Sequence, residues 1–153
     1  VTSAQEMFEG TRANLDGADI VVLCAAVADF TVAERADKKI KREKSNYNLL
    51  LTPTQDIAAW GGANKRENTF LTGFALETND ELENAKGKLA RKNLDMIVLN
   101  SMQDAGAGFK TDTNKITIIS RDGALESYPL KSKDQVATDI LDNIEKLQRC
   151  AKN

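Results

Sequence analysis

The stretch Asp19–Phe30, DIVVLCAAVADF, contains the longest apolar run of the chain and decides the fold class. Residues 19–26 do not alternate between polar and apolar side chains. This pattern is typical of a strand that is buried on both faces of a parallel sheet. Two further strand-like segments follow, Thr69–Ala75 and Leu94–Asn100, with helical periodicity between them. The alternation predicts an α/β fold with a mainly parallel sheet.

Start and stop signals predict the neighbouring elements. Capping boxes begin one helix at Ser3 and another at Thr78, the second running to about Lys92. A short helix is predicted to begin at Pro53 and to stop at Gly61, because glycine often ends a helix. Tyr47–Thr52 is predicted to form a short strand.

The C-terminal third predicts a hairpin and a helix. Lys115–Ser120 and Leu125–Leu130 flank the turn residues Asp122 and Gly123, which favour a β-hairpin. Ser132 caps a last amphipathic helix, whose apolar stripe is Val136, Ile140, Leu141, Ile144 and Leu147. We therefore expect a Rossmann-like, three-layer α/β/α fold with a mainly parallel sheet and an antiparallel hairpin near the C-terminus.

Composition indicates one globular domain, residues 1–153, with 41% hydrophobic and 29% charged residues. No apolar run is long enough for a membrane helix. Cys24 and Cys150 are too few for a disulfide framework, which favours a reduced, cytoplasmic protein. The net charge of −2 gives no indication of nucleic-acid binding.

The chain contains no histidine. This excludes nucleophilic catalysis by Ser-His-Asp or Cys-His sets, histidine-ligated zinc and an imidazole general base. Lysine, arginine, carboxylates and backbone dipoles remain. These groups favour nucleotide binding and electrostatic stabilisation over proton shuttling.

Several side chains are predicted at the carboxyl ends of strands, where open α/β sheets bind ligands. Asp29 suits ribose hydroxyls, a base or a metal, and equally suits a turn. Phe74 follows Gly73, which would let a flat ring approach closely, although a core position explains Phe74 as well. Glu77 suits a hydrogen bond or a metal, and equally the approach to a helix. Asn100 ends the third such strand.

Two groups of cations accompany these strand ends. The first group has five members: Lys38, Lys39, Lys41, Arg42 and Lys44. A lysine there could screen charge that develops on a phosphate, although most charge runs are solvated loops. Lys88 and Lys92 are four residues apart on one helix face, beside the expected buried stripe of Leu82, Ala85 and Leu89. They could reach a polyphosphate, or could simply complement the helix dipole.

In these residues and their order, the chain resembles phosphopantothenoylcysteine synthetase. This is the synthetase domain of the bifunctional coenzyme A biosynthesis proteins in the DNA/pantothenate metabolism flavoprotein family. The matching segments occur in family order: Ala25–Phe30, Lys39–Arg42, Asp56-Ile57, Gly73–Thr78, Lys92–Asn100, and Gly108-Phe109 with Asp112 and Asn114. The resemblance implies that the chain is the C-terminal major part of the CTP-binding synthetase domain.

The resemblance also implies the reaction and its partners. The family activates the carboxylate of 4′-phosphopantothenate with CTP and Mg²⁺, and cysteine then displaces CMP to form an amide. Lys39 would assist activation as the catalytic residue. The family's nucleotide-binding positions correspond to Ala25, Asp29, Lys39, Thr54, Gln55, Asp56, Ile57, Phe74, Lys88 and Lys92. No protein ligand for a metal is implied.

Further expectations rest on the same resemblance. Family members are dimers, and residues 38–52 could cross between subunits. The family's domain begins with a strand, a Gly-rich turn and an Asn-containing segment that do not precede Val1. We therefore expect this chain alone to bind CTP without turnover. No FMN is expected in this chain, although a flavin decarboxylase domain could be fused or bound to it.

Two other hypotheses remain open. The first is a non-catalytic nucleotide-binding or dimerisation module. The second is an unrelated Rossmann-like enzyme such as a short-chain reductase, which the missing GxGxxG turn and the missing Tyr-xxx-Lys pair argue against. The choice of CTP over ATP rests on the resemblance alone.

Overall fold

The computed structural model describes residues 1–42, 46–77, 79–101 and 112–150. The helices are α1 (Ala4–Asn14), α2 (Ile57–Asn64), α3 (Glu81–Arg91) and α4 (Lys133–Cys150). The strands are β1 (Ile20–Leu23), β2 (Phe30–Val32), β3 (Leu51–Pro53), β4 (Phe70–Glu77), β5 (Met96–Ser101), β6 (Thr113–Asn114), β7 (Ile116–Ser120), β8 (Leu125–Ser127) and β9 (Lys131–Ser132).

The main sheet has the order β1-β4-β5-β7-β8. Strands β1, β4 and β5 are parallel, whereas β7 and β8 run antiparallel and form the C-terminal hairpin. Gly123 in that turn has a φ of +88°, which glycine adopts without strain. The predicted α/β fold with a mainly parallel sheet and an antiparallel hairpin is confirmed.

Each face of the sheet has its own core. On one face, Ala85 and Leu89 of α3 pack with Leu71, Leu94 and Ile97. On the other, the apolar face of α4 packs against β5 and β7. Helix α1 joins the first face through α2, because the rings of Phe8 and Trp60 meet edge to face at 5.2 Å. The three-layer arrangement follows from these two cores.

The prediction that residues 19–26 form a strand buried on both faces is wrong. Strand β1 ends at Leu23 and lies at the sheet edge. Val21 and Leu23 pack on the α3 side, whereas Ile20 and Val22 are 44% and 38% exposed. No helix in the described part of the chain covers the second face at β1, which explains the exposure.

Two helix boundaries also differ from the prediction. Helix α2 begins after Asp56 rather than at Pro53, because the Asp56 side chain accepts a hydrogen bond from Ala59 N and caps it. Gly61 does not end α2 but lies buried inside it. The N-cap of α3 is Asp80, in the left-handed region, rather than Thr78, which lies outside the described residues.

The apolar stripes are narrower than predicted. Leu82 of α3 and Leu141 of α4 are exposed, although Leu147, Val136, Ile140 and Ile144 pack in the α4 core as expected. Ser132 caps α4 as predicted, since its Oγ accepts a hydrogen bond from Gln135 N. The cation Lys44 and the segment Gly108-Phe109 lie outside the described residues.

A short antiparallel ribbon of β2 and β3 was not predicted. Phe30 pairs with Pro53 and Val32 with Leu51, so the predicted strand at Tyr47–Thr52 is shifted toward its carboxyl end. This β2–β3 ribbon is separate from the main sheet. Its position means that Asp29 precedes β2 instead of ending β1.

Candidate functional site

A cavity of about 480 Å³ lies beside the carboxyl end of β1, between that strand and helices α1, α2 and α3. It collects the predicted nucleotide-binding residues from four separate parts of the chain. All of them except Lys39 line it: Ala25, Asp29, Thr54, Gln55, Asp56, Ile57, Phe74, Lys88 and Lys92. The chain thus brings together side chains that are up to 67 positions apart (92 − 25).

One wall of the cavity is irregular backbone that follows β1. Val27 N donates to Ala25 O at 3.1 Å and makes a tight turn there. Thr54 ties the wall to the segment before α2, since its N–H donates to Asp29 O at 2.9 Å and its hydroxyl donates to Ala28 O at 2.6 Å. Backbone of residues 25–29 therefore lines the cavity, and the two Thr54 hydrogen bonds hold this backbone in place.

Asp56 and Lys92, which both line the cavity, form an ion pair. The Lys92 ammonium lies 2.9 Å from Asp56 Oδ2 and donates to Asp56 Oδ1 at 3.0 Å. Burial acts to raise the pKa of Asp56, but the hydrogen bond from Ala59 N and the nearby ammonium outweigh it and hold that pKa below its ordinary value. Asp56 is thus an ionised partner for Lys92 at neutral pH.

Lys88 is paired in the same way. Its ammonium lies 2.6 Å from Glu77 Oε1, and the Glu77 side chain is only 14% exposed. Both lysines that line the cavity therefore have a carboxylate partner on a neighbouring element. The pairs keep the two cations directed at the cavity while offsetting their charge.

Phe74 and Gly73 both line the cavity and both take part in packing. Phe74 lines the cavity and also packs against the core on the α4 side. A Cβ on Gly73 would lie 2.7 Å from Leu94 Cδ1, so the glycine makes room for a leucine of the cavity wall. Gly73 also lines the cavity, and the close approach of a flat ring to it stays a prediction.

Some expected neighbours are not brought to the cavity. Lys39 is exposed in irregular backbone and is not among the lining residues. Asn100 also lies away from the lining, and its Oδ1 accepts a hydrogen bond from Asn114 Nδ2 at 3.0 Å. Asn100 does lie beside the end of β4, since it pairs with Leu76, but of the side chains predicted at strand ends only Asp29 and Phe74 line the cavity.

Several features of the cavity were not predicted from residue patterns. Met7 of α1 lines the cavity and was not among the predicted site residues. The pairing of Lys92 with Asp56 spans 36 residues, beyond the reach of any local pattern. Among the described residues, no three His, Cys, Asp or Glu side chains are grouped to hold a metal ion. No helix of that part has the length and apolar character of a membrane span.

Comparison with known proteins identifies the family. The sequence matches the DNA/pantothenate metabolism flavoprotein C-terminal domain over residues 1–147. It is 43% identical over 149 residues to the coenzyme A biosynthesis bifunctional protein CoaBC of Bacillus subtilis (strain 168), covering 97% of this chain and 36% of that protein. It is 52% identical over 144 residues to a cysteine/cysteine sulfinic acid decarboxylase of an unknown prokaryotic organism, covering 94% of this chain and 40% of that protein.

The solved structures agree with these relatives. The C-terminal domain of a coenzyme A biosynthesis bifunctional protein CoaBC superposes with a TM-score of 0.73 at 37% identity, covering 97% of this chain and 66% of that one. The chain spans about two-fifths of the length of the curated relatives above. The family predicted from the sequence is confirmed: the chain belongs to the DNA/pantothenate metabolism flavoprotein C-terminal domain family.

Proposed function

We propose that the chain is the nucleotide-binding part of a phosphopantothenate–cysteine ligase of coenzyme A biosynthesis, which uses CTP. The observation that carries this proposal is the cavity, where two paired lysines face backbone polar groups. The 43% identity to a CoaBC protein supports the reaction class. Cavities of a few hundred Å³ with a few convergent polar groups are typical of small-molecule sites.

Different residues of the cavity bind different parts of the nucleotide. The backbone of residues 25–28 meets the cytosine base, and Asp29 accepts hydrogen bonds from the ribose hydroxyls. Lys88 and Lys92 bind the phosphates. A triphosphate carries more charge than a carboxylate, so it displaces Glu77 and Asp56 from the two ammonium groups.

The chemistry then proceeds in two displacements. A carboxylate oxygen of 4′-phosphopantothenate attacks the α-phosphorus of CTP, and the bond to the bridging oxygen breaks to release pyrophosphate. The amine of cysteine next attacks the acyl carbon, loses a proton and expels CMP. Lys39 offsets the negative charge that develops in the first step. Lys39 does not line the cavity of its own chain, so it reaches the phosphates either by movement of residues 33–42 or from the second subunit of a dimer.

The cavity residues fit a magnesium–nucleotide complex. Mg²⁺ is usually held by one or two carboxylates together with substrate phosphates, and Asp56 is the carboxylate that would lie beside the phosphates, next to Lys92. When bound, Mg²⁺ would neutralise part of the phosphate charge. The protein's own contribution is to orient the phosphates with Lys88 and Lys92.

We also propose that the chain forms a homodimer through the β2–β3 ribbon. Phe30, Leu49, Leu50 and Leu51 are all at least half exposed there. A two-stranded ribbon is marginally stable alone, and an exposed apolar patch is typical of an interface. A second copy of this chain is a suitable partner, because a two-fold axis places the apolar patch of one subunit against the same patch of the other. The family's dimers support this occupant.

A non-catalytic nucleotide-binding or dimerisation module remains the second candidate. The position of Lys39 away from the cavity favours it. Both candidates predict CTP binding, and they differ only in turnover.

Pyrophosphate release from CTP with 4′-phosphopantothenate tests the proposal, followed by CMP release on adding cysteine. The assay uses this chain joined to the upstream part of the Bacillus subtilis CoaBC relative, since the chain alone is expected to bind CTP without turnover. We expect release that requires 4′-phosphopantothenate and that needs a higher CTP concentration in Lys92→Met. CTP binding without pyrophosphate release would support the non-catalytic module instead. The absence of both would contradict the proposed function.

A further inference from the structure

The turn after α3 (residues 92–95), which carries Lys92, contacts α2 at a point where only glycine fits. A Cβ on Gly62 would lie 1.8 Å from the Lys92 carbonyl oxygen and 3.1 Å from Asn93 Cβ. Glycine inside a helix is less favourable than alanine, so its place at this contact needs a reason. The reason is the close approach of the two backbones.

Asn93 ends α3 and at the same time bonds to α2. Its φ is +50°, in the left-handed region, and Leu94 N donates to Leu89 O at 3.0 Å. This is a Schellman termination, where glycine is the usual residue. Asparagine adds a side chain, whose Nδ2 donates to Gly62 O at 2.7 Å.

Arg121 holds the same turn from the other side. Its Nη2 donates to Asn93 Oδ1 at 2.8 Å and to Asn93 O at 2.9 Å. Its Nε donates to Leu94 O at 3.0 Å, and it pairs with Asp95 Oδ1 at 3.2 Å. The Asn93 amide therefore joins α2 to the residue that follows β7 and fixes the turn between them.

This arrangement fixes the origin of the Lys92 side chain relative to Asp56. Asp56 caps the same helix that contains Gly62, and the Lys92 ammonium lies 2.9 Å from it inside the cavity. Neither Gly62 nor Asn93 lines the cavity. Lys92, the residue before Asn93, is the nearest charged side chain of the lining through which they would act on a phosphate.

We propose that Asn93, seated on Gly62, is a positioning residue that sets the reach of Lys92 to the nucleotide phosphates. The proposal deepens the proposed function and rests on it for the identity of the ligand. The placement of Lys92 against Asp56 is independent of any ligand. The two can therefore be tested separately.

The test uses Asn93→Gly, which keeps a residue suited to the left-handed region and removes the two amide hydrogen bonds. Calorimetry with CTP and with CMP is carried out on the unchanged chain, Asn93→Gly, Lys92→Met and the double variant. We expect Asn93→Gly to weaken CTP roughly fivefold and CMP less, and to have no further effect once Lys92 is gone, since coupled residues are non-additive. Asn68→Gly, at an exposed turn residue, is the matched control and leaves affinity unchanged.

A ligand-free measurement completes the test. The pKa of Asp56, followed by NMR, is expected to rise in Asn93→Gly toward its value in Lys92→Met, because the ammonium leaves the carboxylate. Additive losses of CTP affinity together with an unchanged Asp56 pKa would overturn the positioning role. If the unchanged chain binds no CTP, the proposed function fails, and the Asp56 titration alone decides the role of Asn93.

Discussion

The carboxyl end of α3 and the cation segment (residues 38–42) both carry lysines predicted to bind the nucleotide, but the structure treats them differently. Lys88 and Lys92 each meet a carboxylate, and Lys92 stands on a turn held by α2 and Arg121. Within the described part of the chain, Lys39 has no ion pair or side-chain hydrogen bond and is exposed. The lysines of α3 are therefore placed at the cavity before any ligand arrives, whereas Lys39 of the cation segment is not.

This difference suggests separate roles in binding and in chemistry. Cations that are already placed lose little side-chain entropy when the phosphates bind, so they favour affinity. A cation that arrives later contributes mainly where charge develops, which favours rate. The predictions below test that division, beginning with the largest expected effect.

The strongest effect is expected from Gly62→Ala. The new methyl group overlaps the Lys92 carbonyl, so α2 and the turn after α3 must separate, and we expect the unfolding free energy to fall by about 3 kcal/mol. Urea denaturation measures it. Gly10→Ala is the matched control, because Gly10 is also helical but has open space around it and should gain about 0.5–1 kcal/mol. Equal effects at both glycines would show that the close contact is unimportant.

Lys92→Met and Lys39→Gln are expected to separate affinity from rate. Loss of the Lys92 ammonium should raise the Kd for CTP about tenfold, as expected for a hydrogen bond to a charged group. Lys39→Gln should leave that Kd and the fold unchanged. In the chain joined to the upstream part of a CoaBC relative, it should lower pyrophosphate release by about 100-fold or more. Calorimetry and a pyrophosphate assay measure the two. An unchanged rate in Lys39→Gln would remove Lys39 from the mechanism.

Glu77→Gln is expected to strengthen CTP binding, because the phosphates no longer compete with a carboxylate for Lys88. The pair is partly exposed, so the gain is modest, about two- to fivefold in Kd. Glu83→Gln is the control, since Glu83 pairs with Lys86 on the exposed side of α3. Weaker binding in Glu77→Gln would indicate that Glu77 serves the ligand directly.

Leu50→Lys tests the proposed dimer interface at the β2–β3 ribbon and should have the smallest effect on the fold of a subunit. Leu50 is 76% exposed, so the charge costs less than about 0.5 kcal/mol in the monomer but opposes burial in the proposed dimer. Analytical ultracentrifugation should show dimers for the unchanged chain and monomers for the variant. Leu141→Lys, at an exposed leucine of α4, is the control and should remain dimeric. A dimer that survives Leu50→Lys would place the interface elsewhere.

Sequence patterns predicted the sheet well where the signal was local. The hairpin across Gly123 has a turn signature, and β5 has an apolar run, so both were found. The prediction failed at β1 because an apolar run cannot distinguish a central strand from an edge strand. It failed at α2 because the buried contact of Gly62 with Lys92 is tertiary, and glycines were taken as helix stops.

Prediction of the candidate site was limited in the same way, because tertiary contacts leave no local sequence pattern. The resemblance selected residues that line one cavity, and the charge argument alone had left Lys88 and Lys92 open to a simple helix-dipole role. The Glu77 and Asp56 partners depend on how α2, α3 and β4 pack, which residue spacing does not specify. Asn93 directly follows the predicted end of α3, where asparagine tolerates the left-handed region, but its hydrogen bonds to Gly62 and Arg121 are tertiary and leave no sequence pattern.

Calorimetric titration of the chain with CTP and with ATP, each with Mg²⁺, tests the central claim most directly. The cavity with its arranged lysines should bind CTP more tightly than ATP, and Lys92→Met should weaken CTP about tenfold. Absence of CTP binding, or a CTP affinity that is the same without the Lys92 ammonium, would contradict the assignment of this cavity as the nucleotide site.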